Sequence, residues 1–564
     1  MAAKFVHLHC HTEYSLLDGL SKIKNLVRRV KELEMPAIAI TDHGGMYGAI
    51  EFYKECTKEG VKPLIGLEAY TTLKDHKLRD GRGENSHLLL IAQNNTGYKN
   101  LMKLSTIANV EGFYYKPRFT RKIIRQYSDG LIVTSACPKG EIAEALINGN
   151  YDSAKKIAQW FSEIFGDRYY LEIQRHFYKD YLDNLKNQPR IFDKLQKLQK
   201  DEDLWVGGIV KLSRELGIPL VATNDAHYLA PADATAQDAL VCISTGKNVT
   251  DIERIRYIDA PTFYLRSEDE MRKIYSDFPD SIDNTLKIAD KCDLSLELGK
   301  SFYPQVELPE GKTAPEVLKD LAHENVNTRY PKITDEITKR LDYELEVICS
   351  KGYAPYFLIL ADLANWCTNR GIITNTRGSA AGSIVSYVIG ITTVDPIKYA
   401  IPFERFLNPF RPSSPDIDLD IADNRREELM AHITDKYGKD RVAQICTFGK
   451  MLARAAVRDV TRVLGHPYAA GDKLAKVIPL GAQGFPMTIE RALRESPEFR
   501  NLYESDPVSK QIVDLAREIE GNARHVSVHA AGVVISPSLM TDFTPLQLEP
   551  KGTKIITQYE MHSI

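Results

Sequence analysis

Short apolar runs alternate with amphipathic patterns over roughly the first 230 residues. AIAI (37–40), PLIGLEAY (63–70), HLLLIAQ (87–93), GLIVTSA (130–136), YYLEI (169–173) and PLVATND (219–225) read as buried strands. Between them, IKNLVRRVKEL and GYKNLMKLSTIA space their apolar residues as helices do. This alternation predicts a parallel α/β sheet or barrel, with its chemistry at the carboxyl ends of the strands. Residues 175–206 break the pattern. They are polar and charged, which predicts a helical surface insertion with a solvated face. SFYPQVELPEGKTAPEV (301–317) is rich in Pro and Gly and reads as a linker. Beyond it, helical patterns dominate, broken by NTRGSAAGS and SSPDIDLDI, and no internal repeat is evident.

A chain of 564 residues is long enough for about three or four domains. No apolar run approaches the ~20 residues of a membrane helix, and MAAKFVHLHCHTEYS is not a secretory signal, so a cytoplasmic location is expected. The 8 cysteines form no CxxC pair, which excludes a zinc ribbon or a thioredoxin motif and predicts reduced thiols. A net charge of −3 gives no global attraction for nucleic acid, so any DNA contact must rest on local basic surfaces.

The predicted strands end in donors. His9 and His11 sit two apart in VHLHCHT, a spacing that turns both imidazoles to one face of a strand. Asp18 follows in SLLDG, Asp42 and His43 follow AIAI, and Glu68 ends LIGLE. His87 opens HLLLIA, Cys137 ends GLIVTSAC, and Asp225 and His227 end PLVATNDAH. Any one of these is an ordinary polar residue. Together, at the ends of one set of strands, they suit zinc, manganese or iron.

A second constellation lies downstream. PDIDLDI (415–421) puts Asp416, Asp418 and Asp420 on one strand face, which repel one another unless cations such as Mg²⁺ sit there. The alternative is an exposed acidic edge strand. NTRGSAAGSIVSYVIG (375–390) reads as a small-residue loop opening an apolar helix, suited either to a phosphate or to close helix packing. Lys450, Arg454, Arg458 and Arg462 recur every four residues and predict one basic helical stripe, for DNA phosphates or simply for water.

HLHCH, TDHG, the strand-end His87 and NDAH together resemble the PHP family of metal-dependent phosphoesterases. That resemblance implies a distorted βα barrel with a cluster of up to three ions, Zn²⁺ or Mn²⁺, held by His9, His11, Asp18, His43, Glu68, His87, Cys137, Asp225 and His227. Asp42 is expected to orient a ligand instead. The implied chemistry is 3′→5′ exonucleolytic hydrolysis of DNA.

The later segments, among them GYAPYFLILADLANWC, TTVDPIKYAIPFERFLNP and HAAGVVISP, resemble the bacterial C-family replicative DNA polymerases. This implies a nucleotidyltransferase-like α+β palm with an inserted helical thumb. Asp416 and Asp418 would hold Mg²⁺, Arg377, Gly378 and Ser379 would cradle a triphosphate, and the basic stripe would grip primer-template DNA. The implied boundaries are PHP 1–285, first palm segment 286–447, thumb 448–525 and returning palm segment 526–564.

The family's G-P-G-R-G-S loop reads Thr374-Asn375-Thr376-Arg377-Gly378-Ser379 here, which changes the options of the turn. The family's third catalytic aspartate lies shortly beyond a stretch like QYEMHSI, together with the fingers and the sliding-clamp and clamp-loader contacts. This chain alone is therefore expected to be inactive in polymerisation. The competing readings are a standalone PHP phosphoesterase with a DNA-binding tail, and a scaffold that docks a separate proofreading subunit.

Overall fold

The computed structural model describes residues 5–79, 85–254, 256–410, 415–482 and 485–564. Two compact units share the chain: 1–297 with 444–532 and 541–564, and 298–443 with 533–540.

The first unit is built around six strands: β1 (Ala37–Ile40), β2 (Lys62–Thr71), β3 (Ser86–Ala92), β4 (Leu131–Thr134), β5 (Tyr169–Gln174) and β6 (Leu220–Thr223). They hydrogen-bond in that order. Parallel bridges His7↔Ile38 and Cys10↔Ala226 place the stretch after Phe5 between β1 and the end of β6. His11 N–H donates to the Ala226 carbonyl at 2.8 Å, and Ala39 N–H donates to the His7 carbonyl at 2.9 Å, closing the ring.

The all-parallel expectation fails at β3, which runs antiparallel to both β2 and β4. An apolar run carries no direction, so the sequence pattern could not show this. The reversal matters because it brings the amino end of β3, and His87 with it, to the rim where its parallel neighbours end.

Side chains alternate between the two faces of a strand. On one face, Leu64, Ile91, Ile132, Tyr170 and Val221 pack into a single cluster, closed by Ile288, Ala289 and Cys292. Two or four residues further along the same face come Glu68, His87, Thr134, Glu172 and Thr223, all buried. Each strand thus anchors itself at an apolar end and presents polar groups at the other.

Residues 175–206 are not a surface insertion. After a short 3₁₀ segment, α1 (Pro189–Leu216) runs for 28 residues and buries Trp205, Val206, Ile209 and Leu212 in the core around β5. Its stripe is helical in spacing but includes Gln199 and Glu202, which disguise it as a polar face. The same unit holds a helical bundle. In it, α2 (Ala234–Thr245) shares a hydrophobic core with α3 (Ala453–Val463) and α4 (Pro507–Ile519).

In the second unit, helices Ala314–Arg329, Asp335–Ser350 and Ala354–Asn369 pack about Leu318, Leu341, Phe357 and Phe403. Beside them, β7 (Thr374–Arg377) pairs antiparallel with β8 (Asp418–Ile421). Among the described residues, no single helix is long and apolar enough to cross a membrane.

Candidate metal centre

Nine donors from separate strand ends and loops converge at the rim of the barrel. His9 Nε2 lies 3.2 Å from Glu68 Oε1 and 3.3 Å from Asp225 Oδ1. His11 Nε2 is 3.0 Å from the same Asp225 oxygen. The two nitrogens of His43 face Glu68 Oε2 at 2.6 Å and Asp18 Oδ2 at 3.1 Å. His227 Nε2 is 3.7 Å from Asp18 Oδ2. His87 Nδ1 is 2.7 Å from Glu68 Oε1, and Cys137 Sγ is 3.3 Å from that nitrogen.

Ligands held ~2.0–2.2 Å from one ion stand about 3.0–3.5 Å from each other, which is the range of most of these separations. Three overlapping trios have ligand atoms within 4.8 Å of one another: His11, His43 and His227; His9, His11 and Asp225; His43, Glu68 and His87. Among the described residues, every such trio lies in the barrel.

Six of the donor atoms also lack a hydrogen-bond partner. His9 Nε2, His11 Nε2, His43 Nδ1, Glu68 Oε2, Asp225 Oδ1 and His227 Nε2 are buried and have no hydrogen-bond partner of proper geometry. Each buried polar atom left this way costs about 1–3 kcal/mol, and proteins rarely tolerate several together. Cations placed among them would satisfy all six, so the residues fit a polynuclear metal site.

The surrounding groups orient these donors. His9 Nδ1 pairs with Glu172 Oε1 at 2.8 Å, and His227 Nδ1 with the Asp225 carbonyl at 2.8 Å, leaving both Nε2 atoms to face inward. Asp42 accepts from Thr12 N–H at 2.6 Å and from Ser15 Oγ at 2.8 Å, while Ser15 Oγ lies 2.9 Å from His11 Nδ1. Asp42 thus holds the loop that aims His11, and its carboxylate is a member of none of the trios.

Backbone strain marks the same places. Leu17, Ala136 and Asp225 have φ of 57°, 61° and 49°, each at a donor or immediately before one. Such conformations cost about 1–3 kcal/mol apiece and persist where the surroundings over-determine them.

Glu172 was not singled out in the sequence. The signal was there: a lone acid within the apolar strand YYLEI. It also accepts from Gln174 Nε2 at 2.9 Å, from Thr223 Oγ1 at 2.5 Å and from Thr134 Oγ1. Glu172→Gln removes the charge that fixes the His9 ring while keeping its volume. Metal affinity measured by chelator competition is expected to fall about 10–100-fold. An unchanged affinity would mean that Glu172 only packs.

Charge in the metal-free site is divided. Burial, with His43 and His227 nearby, pushes His11 down to about 3, so it is neutral and ready to ligate. Burial would lower His43 too, but Glu68 and Asp18 outweigh it and raise it to about 9. Burial is likewise outweighed at Glu68 by His87, His43 and His9, which hold its carboxyl well below the usual range. Burial pushes the Cys137 thiol well up.

Outside the barrel, the predicted sites are arranged differently. Asp416 and Asp418 are exposed, and β8 begins only at Asp418. Arg377 ends β7 opposite Asp418, and its Nε is 2.6 Å from Asp420 Oδ2. Gly378 and Ser379 begin a 3₁₀ turn with Gly378 at φ 80°.

The continuous basic stripe is corrected. Lys450 ends β9 (Val442–Lys450) and is not on α3. Equal four-residue steps across that junction do not share a face, because the chain changes from strand to helix. On α3, Arg454 Nε donates to the Ile478 carbonyl at 2.9 Å, Arg458 pairs with Asp472 at 3.0 Å, and Arg462 is exposed.

Two family profiles match separate stretches of the chain. The PHP domain profile matches residues 7–176, and that of the bacterial DNA polymerase III alpha NTPase domain matches residues 316–564. The chain resembles a PHP domain over the first of these stretches and a bacterial DNA polymerase III alpha NTPase domain over the second. It is 42% identical over 565 residues to the DNA polymerase III subunit alpha of Borreliella burgdorferi, covering 99% of this chain and 47% of that protein. The subunit from Helicobacter pylori strain J99 is 40% identical, with 99% and 47% covered, and that from Thermus aquaticus 38%, with 100% and 50%. The chain spans about half the length of these relatives. Asp225 and His227 lie beyond the matched PHP stretch, yet each belongs to one of the donor trios.

Proposed function

We propose that this chain is the part of a replicative DNA polymerase alpha subunit that couples a PHP 3′→5′ exonuclease to a palm and thumb. The observation that carries the nuclease half is the convergence of six unpaired, buried ligating atoms on one pocket. His9, His11, Asp18, His43, Glu68, His87, Cys137, Asp225 and His227 would hold up to three ions. Their mixed imidazole, carboxylate and thiol character favours Zn²⁺ or Mn²⁺.

Ions held by these residues would supply activation of water near neutral pH and charge balance for the attacking and leaving oxygens of a phosphodiester. The protein's own part is to fix the donors. Glu172 and Asp42 hold His9 and the His11 loop, and the barrel floor keeps the pocket rigid. A cavity of about 550 Å³ opens over the donors, with Lys139 and Lys194 in its lining to attract phosphate.

In the NTPase domain, Asp416 and Asp418 would hold Mg²⁺, and Arg377, released from Asp420, would join Gly378 and Ser379 on a triphosphate. Primer-template DNA and deoxynucleoside triphosphates are the substrates of this reading, and replisome subunits its partners. The exposed Arg462 and the half-exposed Arg458 are the residues of α3 best placed for DNA phosphates, since Arg454 is spent on a carbonyl. Arg462→Ala is expected to weaken duplex binding equally across sequences and to lower the salt slope of log K by about 1. An unchanged slope would remove Arg462 from the interface.

The direct test of the nuclease reading uses a 5′-labelled single-stranded oligonucleotide and protein loaded with Mn²⁺ or Zn²⁺. A ladder shortened from the 3′ end, stopped by chelator, is expected. Intact substrate with every metal tried would overturn the reading.

A further inference from the structure

The cavity over the metal-site donors changes character on one side. Tyr257 lies over the His227 ring, with centroids 5.4 Å apart and planes at 30°, and it meets Phe263 edge to face at 4.6 Å. Leu195, Leu198 and Ala260 extend the same lining into an apolar wall. Tyr257 is held in place by its own turn. Arg256 Nε and NH2 donate to the two Asp259 oxygens at 2.6 and 2.9 Å, pinning the 3₁₀ segment Tyr257–Asp259 that carries the ring.

Hydrolysis of a phosphodiester needs polar groups and cations at the reacting atoms, and it has no use for an aromatic wall. A nucleobase does, because every base has a flat face that stacks on aromatic rings whatever its sequence. At about 550 Å³ the cavity is in the range of sites for one small molecule, enough for a single nucleotide. A terminal nucleotide still paired to a template strand and stacked on its neighbour could not bring its base into contact with this wall.

Resting on the exonuclease reading of the same site, we propose that Tyr257 is the stacking platform for an unpaired 3′-terminal nucleobase. The terminal nucleotide is lifted out of the strand before its phosphodiester reaches the metal-site donors. A mispaired end unstacks at lower cost than a paired one, so the wall favours it without reading its sequence.

Two measurements on the whole chain test this. In the first, metal-free protein is titrated into a single-stranded oligonucleotide whose 3′-terminal base is 2-aminopurine. Wild type and Tyr257→Phe should quench the fluorescence on binding, whereas Tyr257→Ala should bind without quenching. In the second, metal-loaded protein cleaves oligonucleotides ending in a normal nucleotide or in an abasic residue. Wild type and Tyr257→Phe should prefer the base-bearing end by about 10–100-fold in kcat/KM. The ratio should approach 1 in Tyr257→Ala. Equal cleavage of both ends by wild type, or full quenching by Tyr257→Ala, would overturn the platform while leaving the nuclease intact. Failure of wild type to cleave either end would instead overturn the nuclease reading itself.

Discussion

Replacing His9 and His11 together by alanine is expected to remove both bound metal and 3′-exonuclease activity. The two imidazoles are fully buried, and between them they supply two of the three donor trios. Loss of a group that merely orients a ligand lowers affinity or activity by about 10–100-fold. Loss of two groups that would touch the ions lowers activity further, on the order of 10³-fold or more.

Deleting buried side chains also destabilises, so a control is needed. His7 is equally buried on the same segment, but its Nε2 faces the Arg266 carbonyl at 2.8 Å, away from the trios. His7→Ala should lower the melting temperature and keep its metal. Elemental analysis and the ladder assay, run on both variants, separate the two effects. Unchanged metal content and nuclease rate in the His9→Ala, His11→Ala protein would refute the assignment.

Chelation is expected to destabilise the first unit, and by more at high pH than at low. An ion at 100–1,000 times its dissociation constant stabilises by about 2.7–4.1 kcal/mol. For a unit of this size, that corresponds to roughly 3–5 °C in Tm.

The pH dependence follows from the imidazoles. His43 is raised from its ordinary 6.5 to about 9, and His9 and His227 are shifted in the same direction. A raised folded pKa gives metal-free protein a stabilisation fully present below pH 6.5 and lost as pH climbs through 9. Asp18, Glu68 and Asp225 are depressed, so they have finished titrating below this window and add no slope to it. Ions require deprotonated imidazoles, so binding releases protons and strengthens as pH rises. The Tm difference between loaded and metal-free protein should therefore widen from pH 6.5 to 9, as scanning calorimetry would record. A difference that is flat or narrows across this range would mean that His9, His43 and His227 do not exchange protons for metal.

The donor set was legible in the sequence because the βα pattern was. Once AIAI, PLIGLEAY and PLVATND are read as strands, their ends are where chemistry gathers, and His43, Glu68 and Asp225 stand there. His87 was found for an incomplete reason: its place at the start of a strand makes sense only because β3 runs antiparallel. Groups that support the ligands were harder to see. Glu172 looks like one acid in an alternating strand until its four partners are known. Gln558, far along the chain, accepts from Met46 N–H at 2.9 Å and steadies the loop that follows His43, a contact no local pattern could announce. The stripe through Lys450 failed because a spacing rule for helices was carried across a strand. Polar side chains hid the buried face of α1 in the same way, through Gln199 and Glu202.

Anomalous diffraction from crystals of the chain grown with Mn²⁺ or Zn²⁺ and collected at the metal edge tests the central claim most directly. More than one peak, and up to three, should lie about 2.0–2.3 Å from donor atoms of the His9, His11, His43, Glu68 and Asp225 group. A barrel without such peaks, or peaks only at surface histidines, would contradict it.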